Sequence, residues 1–454
     1  MSDRGEASQE SLNDAAGDTA LLPHFTTEQP NESIVLYEGG LEAVGQLEGE
    51  GTVSLDWLPT PRVKFRIVGT TDRRMDFTSV PTQRLILEGR QTEATGTFTG
   101  SEIRGGPIFT QVLRGVFDPV ILGQPEVVQH VLFHIPNVPW FAGESIHRDD
   151  ATGSHSWTGR LQFDDGIWEV TLDPLQNHRE LVQQLNTTGG YALTAVGQIR
   201  RLNSGAFSMD ETRDLLASLR LFLSLIAGRW TDSMLRVALS PDDRLVCEEW
   251  HSPMVDPWIG RRSVFPDLVQ DENRLRSPRV HRVFRTLRTH WSDEAWRDVT
   301  TWAISWLIES EKSVNADTSI VLSQAGLELL AWTQLVLRDR ISAREFKELD
   351  AHVALRKLLD GIGTPTGVPN GTMLDEMHTF ASDEGVDAPE AFTRVRNAVV
   401  HPRAGGRRPS RELRIEASQL GLWYLQLAVL RLLDYDDMCL NRLRAWRPEP
   451  VPWA

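Results

Sequence analysis

The stretch Asp387-Ala388-Pro389-Glu390-Ala391-Phe392-Thr393-Arg394-Val395-Arg396-Asn397-Ala398-Val399-Val400-His401-Pro402 contains both the start and the stop of one helix. Asp387 can accept from the free N–H groups of a first turn, and Glu390 three residues on completes a capping-box pattern. Pro389 stands in that turn, where its missing N–H costs nothing. Pro402 disfavours helical conformation at His401. The spacing predicts a helix from about Ala388 to His401. At about 100° per residue, Phe392, Val395, Ala398 and Val399 gather within ~60° of one direction and form its core face. Asn397, His401 and Arg394 share another side at i, i+4 and i−3 spacing, so they can meet. Arg396 flanks that polar half. Val400 points outward between polar neighbours, which implies that another surface covers it.

The chain on either side of this helix reads as helical. A long helix is predicted from Ser410 to about Tyr435, and a short one near Met373–Phe380 precedes the loop-to-helix entry. Further upstream come Asp293–Ser310, Thr318–Arg338 and Ala343–Leu359, the last opening with the capping box Ser342-x-x-Glu345. A loop is expected over Gly361–Gly371, and the proline-bearing tail with Trp453 is expected to be extended. Another capping box, Ser208-x-x-Glu211, precedes an apolar helix to about Ala227. Residues 229–290 carry no clear period.

From Ser33 to Asn203 the periodicity changes to that of strands. Alternating or β-branched runs recur at Ser33–Tyr37, Gly51–Leu58, Arg62–Val68, Arg84–Leu87, Gln111–Phe117, Val127–Ile135 and Tyr191–Ile199. The clearest hairpin is Thr158–Phe163, a tight turn at Asp164-Asp165-Gly166, then Ile167–Leu172. Many short strands imply a sandwich or barrel-like domain. The predicted fold class is therefore α+β, a β-rich N-terminal domain followed by a C-terminal all-α bundle. The expected divisions are a disordered acidic tail over 1–30, a β-rich domain over 31–205, a helical or mixed connection over 206–315, and a helical domain over 316–454.

Length and charge narrow the function classes. A chain of 454 residues suits two or three domains. A net charge of −16 argues against a general nucleic-acid coat protein. No continuous run approaches the ~18 apolar residues that span a bilayer, and no basic-then-apolar leader opens the chain, so a cytoplasmic protein without membrane association is expected. Cys247 and Cys439 make neither a disulfide framework nor a zinc set. Between Arg394 and Arg414, however, stand Arg394, Arg396, Arg403, Arg407, Arg408, Arg411 and Arg414, with Glu412 as the sole acid. This basic island could hold an RNA backbone, and Arg394, Arg403, Arg407, Arg408 and Arg411 are the candidate contacts.

The Arg396-x4-His401 pattern, on the penultimate long helix of a helical domain, resembles the motif of the HEPN family. Asn397 matches the polar residue that often follows the family's arginine. Ala325-Gly326-Leu327-Glu328-Leu329-Leu330 resembles the family's early helix, so the likeness covers about residues 316–436. The β-rich front, including Gly51–Leu58 and Ile135–Phe141, resembles ApeA-type anti-phage HEPN proteins. The resemblance implies a homodimer with two motif helices at one cleft. It also implies RNA cleavage without metal or other cofactor, with RNA (tRNA among the candidates) as partner. It further implies a role in anti-phage defence or abortive infection with a phage-derived trigger. The chemistry has its own basis. RNA carries its nucleophile, the 2′-OH; histidine moves protons near neutral pH, and arginine stabilises charge growing on a phosphoryl group. Arg396, His401 and Asn397 are the candidate catalytic residues.

Plainer roles compete with these. His401 could only cap helix-end carbonyls, Arg396 could pair with an acid such as Glu390, and the arginine loop could be a solvated connection. A non-catalytic HEPN module that dimerises and binds nucleic acid or nucleotide is the main alternative; a carbohydrate-binding sandwich on a helical scaffold has only the β-rich composition behind it. His147, Asp149, Asp150 and His155 read as a loop cluster without metal-site spacing. His130 and His134 sit in a strand-like run, too far apart to chelate. No Walker loop, dinucleotide glycine motif, Gly-x-Ser-x-Gly or His-Glu-x-x-His occurs. Trp291, Trp296, Trp302, Trp306 and Trp332 read as core packing, and Glu328 as a polar anchor for the motif helix.

Overall fold

The computed structural model describes residues 18–71, 82–90, 93–104, 109–139, 143–151, 153–260, 263–266, 278–401 and 408–454. In chain order the strands are β1 (Asp18–Thr19), β2 (Ile34–Ala43), β3 (Leu47–Asp56), β4 (Arg62–Thr71), β5 (Thr82–Leu87), β6 (Ala94–Arg104), β7 (Phe109–Phe117), β8 (Val120–Gly123), β9 (His130–Pro136), β10 (Glu144–Asp150), β11 (Gly153–Asp164), β12 (Trp168–Pro174), β13 (Leu193–Arg201), β14 (Met234–Leu239), β15 (Leu245–Trp250), β16 (Met438–Asn441) and β17 (Arg447–Pro450). The helices are α1 (His178–Thr188), α2 (Arg213–Ala227), α3 (Pro278–Trp291), α4 (Glu294–Lys312), α5 (Ala316–Trp332), α6 (Ala343–Lys347), α7 (Ala351–Gly361), α8 (Asp375–Glu384), α9 (Ala388–Val400) and α10 (Arg411–Leu432). The architecture is α+β, a large β-rich N-terminal region followed by a helical C-terminal region. Two compact units result, one of Met1–Leu223, Trp230–Arg261 and Asp271–Ser277, the other of Ser224–Arg229, Arg262–Gln270 and Pro278–Ala454.

In the first unit, six strands close into a barrel in the order β2-β3-β4-β7-β6-β5. Period-two patterning builds it. In β4, Val63, Phe65 and Ile67 are buried while Arg62 and Arg66 face solvent. The other strands form a nine-stranded sheet in the order β1-β10-β11-β12-β13-β9-β14-β15-β8. Barrel and sheet residues share one core, where Trp57 stacks on Tyr191 at 5.5 Å between ring centroids. Ser208 and Glu211 form the predicted capping box, with the Ser208 N–H donating to Glu211 Oε1 at 2.9 Å, and a 3-10 turn over Met209–Thr212 leads into α2. Apolar α2 buries Leu215, Leu219 and Phe222, and Phe222 meets Phe163 at 5.0 Å.

Several expectations change here. The acidic-tail expectation falls largely on residues 1–17, outside the described residues, while Asp18 and Thr19 pair in parallel with Ile146 and His147. The turn after β11 is longer than a two-residue primed turn, because Asp164 pairs with Glu169 and the Asp165 side chain accepts from the Ile167 and Trp168 N–H groups. His147, Asp149, Asp150 and His155 lie on the paired strands β10 and β11 rather than in a loop. Of the unplaced stretch 229–290, β14 and β15 enter the nine-stranded sheet.

In the second unit, α10 packs against α5 and α4, and α9 packs against α5, α7, α8 and α10. Close approach at Gly421 and Gly326 makes this possible. A Cβ at Gly421 would lie 2.6 Å from the Phe392 ring and 2.7 Å from Ser323 Oγ. One at Gly326 would lie 2.8 Å from Leu425. The helix expected over Ala343–Leu359 divides into α6 and α7, with Asp350 at the start of the second. Thr318–Arg338 is α5 continued by a π-helical turn over Thr333–Arg338. By length and composition Ala316–Arg338 could cross a membrane, although the sequence offered no continuous apolar run, because Ser319, Ser323 and Gln324 are spaced among its apolar residues. Half of its apolar window is buried. The tail is a β16–β17 hairpin rather than an extended strand, and Trp453 Nε1 donates to the Tyr435 carbonyl at 2.8 Å.

Candidate active site

The motif helix α9 is fixed at both ends. Asp387 caps it, accepting from the Glu390 N–H at 3.1 Å. The reciprocal half of the expected capping box is absent among the described residues, because the Glu390 carboxylate faces Arg394 and Arg356 instead. Arg356 on α7 holds Asp387 through Nε–H to Oδ2 at 2.6 Å and Nη2–H to Oδ1 at 3.0 Å. Burial pushes the Asp387 carboxyl up, but Arg356 and the Glu390 N–H outweigh it and hold the group below its ordinary range. At the other end, the His401 N–H donates to the Asn397 carbonyl at 2.8 Å and His401 leaves helical geometry. Pro402 lies outside the described residues.

Ala391, Phe392 and Val395 are fully buried, while Ala398 and Val399 are only half-buried, so the core face thins toward the motif end. Asn397, Val400 and His401 are exposed. The His401 ring makes no hydrogen bond or ion pair to a described residue. Arg396 is half-buried and donates from Nη1 to Asn397 Oδ1 at 3.1 Å. Its Nε is enclosed and has no hydrogen-bond partner among the described residues. The ion pair considered between Arg396 and Glu390 is therefore made by Arg394, the next arginine back. Arg396, Asn397 and His401 occupy the last turns of one capped helix, with Arg396 and Asn397 in direct contact.

The basic island is weaker than the local sequence implied. Arg394 pairs with Glu390 at 2.7 Å and also with Glu384. Arg408 reaches Asp317 at 2.7 Å, and Arg414 meets the same carboxylate at 2.6 Å. Glu384, Glu390 and Asp317 all lie outside the 394–414 window, so counting charges along it could not find them. Arg403 and Arg407 lie outside the described residues. Among the described arginines of the window, Arg396 and Arg411 have no carboxylate partner. Glu328 is exposed and accepts from Gln324 Nε2 at 2.8 Å on its own helix, with no contact to α9 among the described residues. Arg356, which neither spacing nor periodicity marked, is the residue that anchors the motif helix.

Residues 123–261 match the family model described as "YopA central domain", and residues 293–451 match the one described as "YopA C-terminal domain". The second match spans the helical unit's motif and most of its core. The chain is also 25% identical to the "SPbeta prophage-derived uncharacterized protein YopA" of Bacillus subtilis (strain 168), over 96% of this chain and 98% of that protein. No solved structure matches.

Proposed function

We propose that the helical unit is a HEPN-type endoribonuclease that works without a metal ion. The observation that carries this is the polar end of α9, where His401 is exposed and unengaged by described residues and Arg396 has an enclosed Nε without a partner. An enclosed donor of this kind calls for an acceptor, and a phosphate oxygen is one. One imidazole removes the 2′-OH proton, the 2′-oxygen bonds to phosphorus, and the P–O5′ bond breaks. A second imidazole, from a second copy of the chain, protonates the leaving 5′-oxygen. Arg396 stabilises the charge on the phosphoryl oxygens, and Asn397 orients Arg396. The products are a 2′,3′-cyclic phosphate and a 5′-OH. Arg411 is the backbone contact best supported by its surroundings. Neither matched family model is a HEPN model, so the HEPN reading rests on the motif and its helix. The prophage origin of the Bacillus subtilis relative is compatible with a part in conflict between phage and host.

A second reading is a non-catalytic HEPN module that pairs through this face. The exposed Val400 and Ile415 and the ion-paired Arg394 and Arg408 favour it. The two separate when total RNA is incubated in EDTA with wild type, His401→Ala and Arg396→Ala. Cleavage by wild type that both changes abolish supports the nuclease. RNA binding without cleavage supports the module. Cleavage that survives both changes, or that needs magnesium, rules out this mechanism.

A further inference from the structure

A separate cleft of about 580 Å³ opens within the β-rich unit, at the β8 edge of the nine-stranded sheet. On the sheet, Arg236, Glu249 and Ile121 are cross-strand neighbours on β14, β15 and β8. Across from them, α2 contributes Arg213, Leu216, Ala217 and Arg220, a single i, i+3, i+4, i+7 stripe. Val120, Ile121 and Leu216 give the cleft apolar walls, and its volume is that of a small-molecule site.

Most of its charged groups already have ion-pair partners. Arg236 Nη1 donates to Glu249 Oε1 at 2.8 Å, and Arg213 pairs with Asp210 at 2.7 Å. Asp232 is buried and lies 3.4 Å from His251 Nε2 and 3.9 Å from Arg236 Nη2. Burial alone would raise the Asp232 carboxyl, but His251, Arg236 and Arg220 outweigh it and keep the group ionised. Arg220 is the exception. It is half-buried in the lining, acts on Asp232 only through space, and makes no hydrogen bond or ion pair to any described residue. A partly desolvated guanidinium without an acceptor is costly, and its planar fork suits phosphate oxygens. His251 Nδ1 is also enclosed without a partner among the described residues.

We propose that this cleft binds a small phosphorylated molecule with a flat apolar body, of the nucleoside monophosphate class, with Arg220 on the phosphate. The body lies against Val120, Ile121 and Leu216. The carboxylates of Asp232 and Glu249 accept from its hydroxyl or amino groups. This site lies wholly in the β-rich unit and does not depend on the ribonuclease reading.

The test is calorimetric titration of the full chain with AMP, GMP, CMP and UMP in turn, with inorganic phosphate and the four corresponding nucleosides as part-ligands. Saturable binding of at least one monophosphate is expected, and the matching phosphate and nucleoside parts should each bind more weakly. Arg220→Gln should weaken that binding by about tenfold or more, the usual loss for a charge-assisted pair. Ala217→Trp, at an exposed position that can take a larger side chain, should block the cleft. Circular dichroism of both variants keeps misfolding apart from loss of binding. Phosphate binding as tightly as the nucleotides would overturn the apolar-body part. Absence of binding by all four monophosphates, or binding unchanged in both variants, would overturn the site.

Discussion

Arg356 on α7 grips Asp387, the cap of the motif helix, through two hydrogen bonds of 2.6 and 3.0 Å. One carboxylate thus starts α9 and ties it to a neighbouring helix. Asp387→Ala is expected to cost about 1–2 kcal/mol, a lost cap plus a partly exposed ion pair. Urea unfolding measures this. Because the Asp387 carboxyl is held below its ordinary range, its contribution is present above its unfolded pKa and fades as pH falls through the folded one. Asp387→Asn should therefore flatten the acid limb of stability, and an unchanged limb would count against the clamp.

The crossing of α10 over α9 and α5 depends on the missing side chain at Gly421. Gly421→Val would drive atoms into the Phe392 ring and Ser323. Overpacking of this kind costs roughly 1–3 kcal/mol. A thermal melt of the variant should show the loss, and the proposed RNA cleavage should fall with it, since Phe392 is on the motif helix. A variant as stable as wild type would mean that the helices do not approach so closely.

Two buried histidines predict acid sensitivity in the β-rich unit. His134 Nδ1 faces the Leu235 carbonyl at 3.0 Å, and its Nε2 accepts from the His24 and Phe25 N–H groups at 3.1 and 3.0 Å. Burial pushes both His134 and His178 down from 6.5 to about 4. A lowered folded value means that the unfolded chain binds protons first. The stability these neutral rings provide is fully present above about 6.5 and is lost as pH falls toward about 4. The loss is on the order of 3 kcal/mol per ring at full extent. Melting temperature followed from pH 7 downward checks this, and a flat profile across that window would contradict it.

Charge pairing separates arginines that the sequence had grouped. Arg394 is bound by Glu384 and Glu390, whereas Arg411 has no carboxylate partner among the described residues. Arg411→Ala should weaken RNA binding by a factor of a few and reduce its salt dependence by about one unit of slope. Arg394→Ala should leave both nearly unchanged. Filter binding across a salt series distinguishes them, and equal losses would show that Arg394 leaves its ion pairs for RNA.

What could be read from the sequence follows its local signals. The caps at Ser208, Ser342 and Asp387 and the period-two strands such as β4 are local features, and the structure has elements there. Strands β6, β10 and β15 lack a clear alternation because threonine, glycine and charge dilute it, and β14 is a short, nearly continuous apolar run with no period to read. Helix Ala343–Leu359 looked continuous because nothing in its apolar period marks the break before Asp350. Arg396, Asn397 and His401 were legible because one helix presents all three. Arg356, Asp317 and Glu384, which set the electrostatics around them, come from elements distant in sequence and leave no pattern along the chain. Arg220, Asp232 and His251 were missed for the same reason.

Under the proposed mechanism, Arg396 and His401 cut RNA through its own 2′-OH. The most direct measurement gives wild type, in EDTA, an RNA oligonucleotide and its fully 2′-O-methylated counterpart, and identifies the product ends by mass spectrometry. Cleavage of the first alone is expected, to 2′,3′-cyclic phosphate and 5′-OH ends. Cleavage of the methylated strand, or 5′-phosphate products, would contradict it.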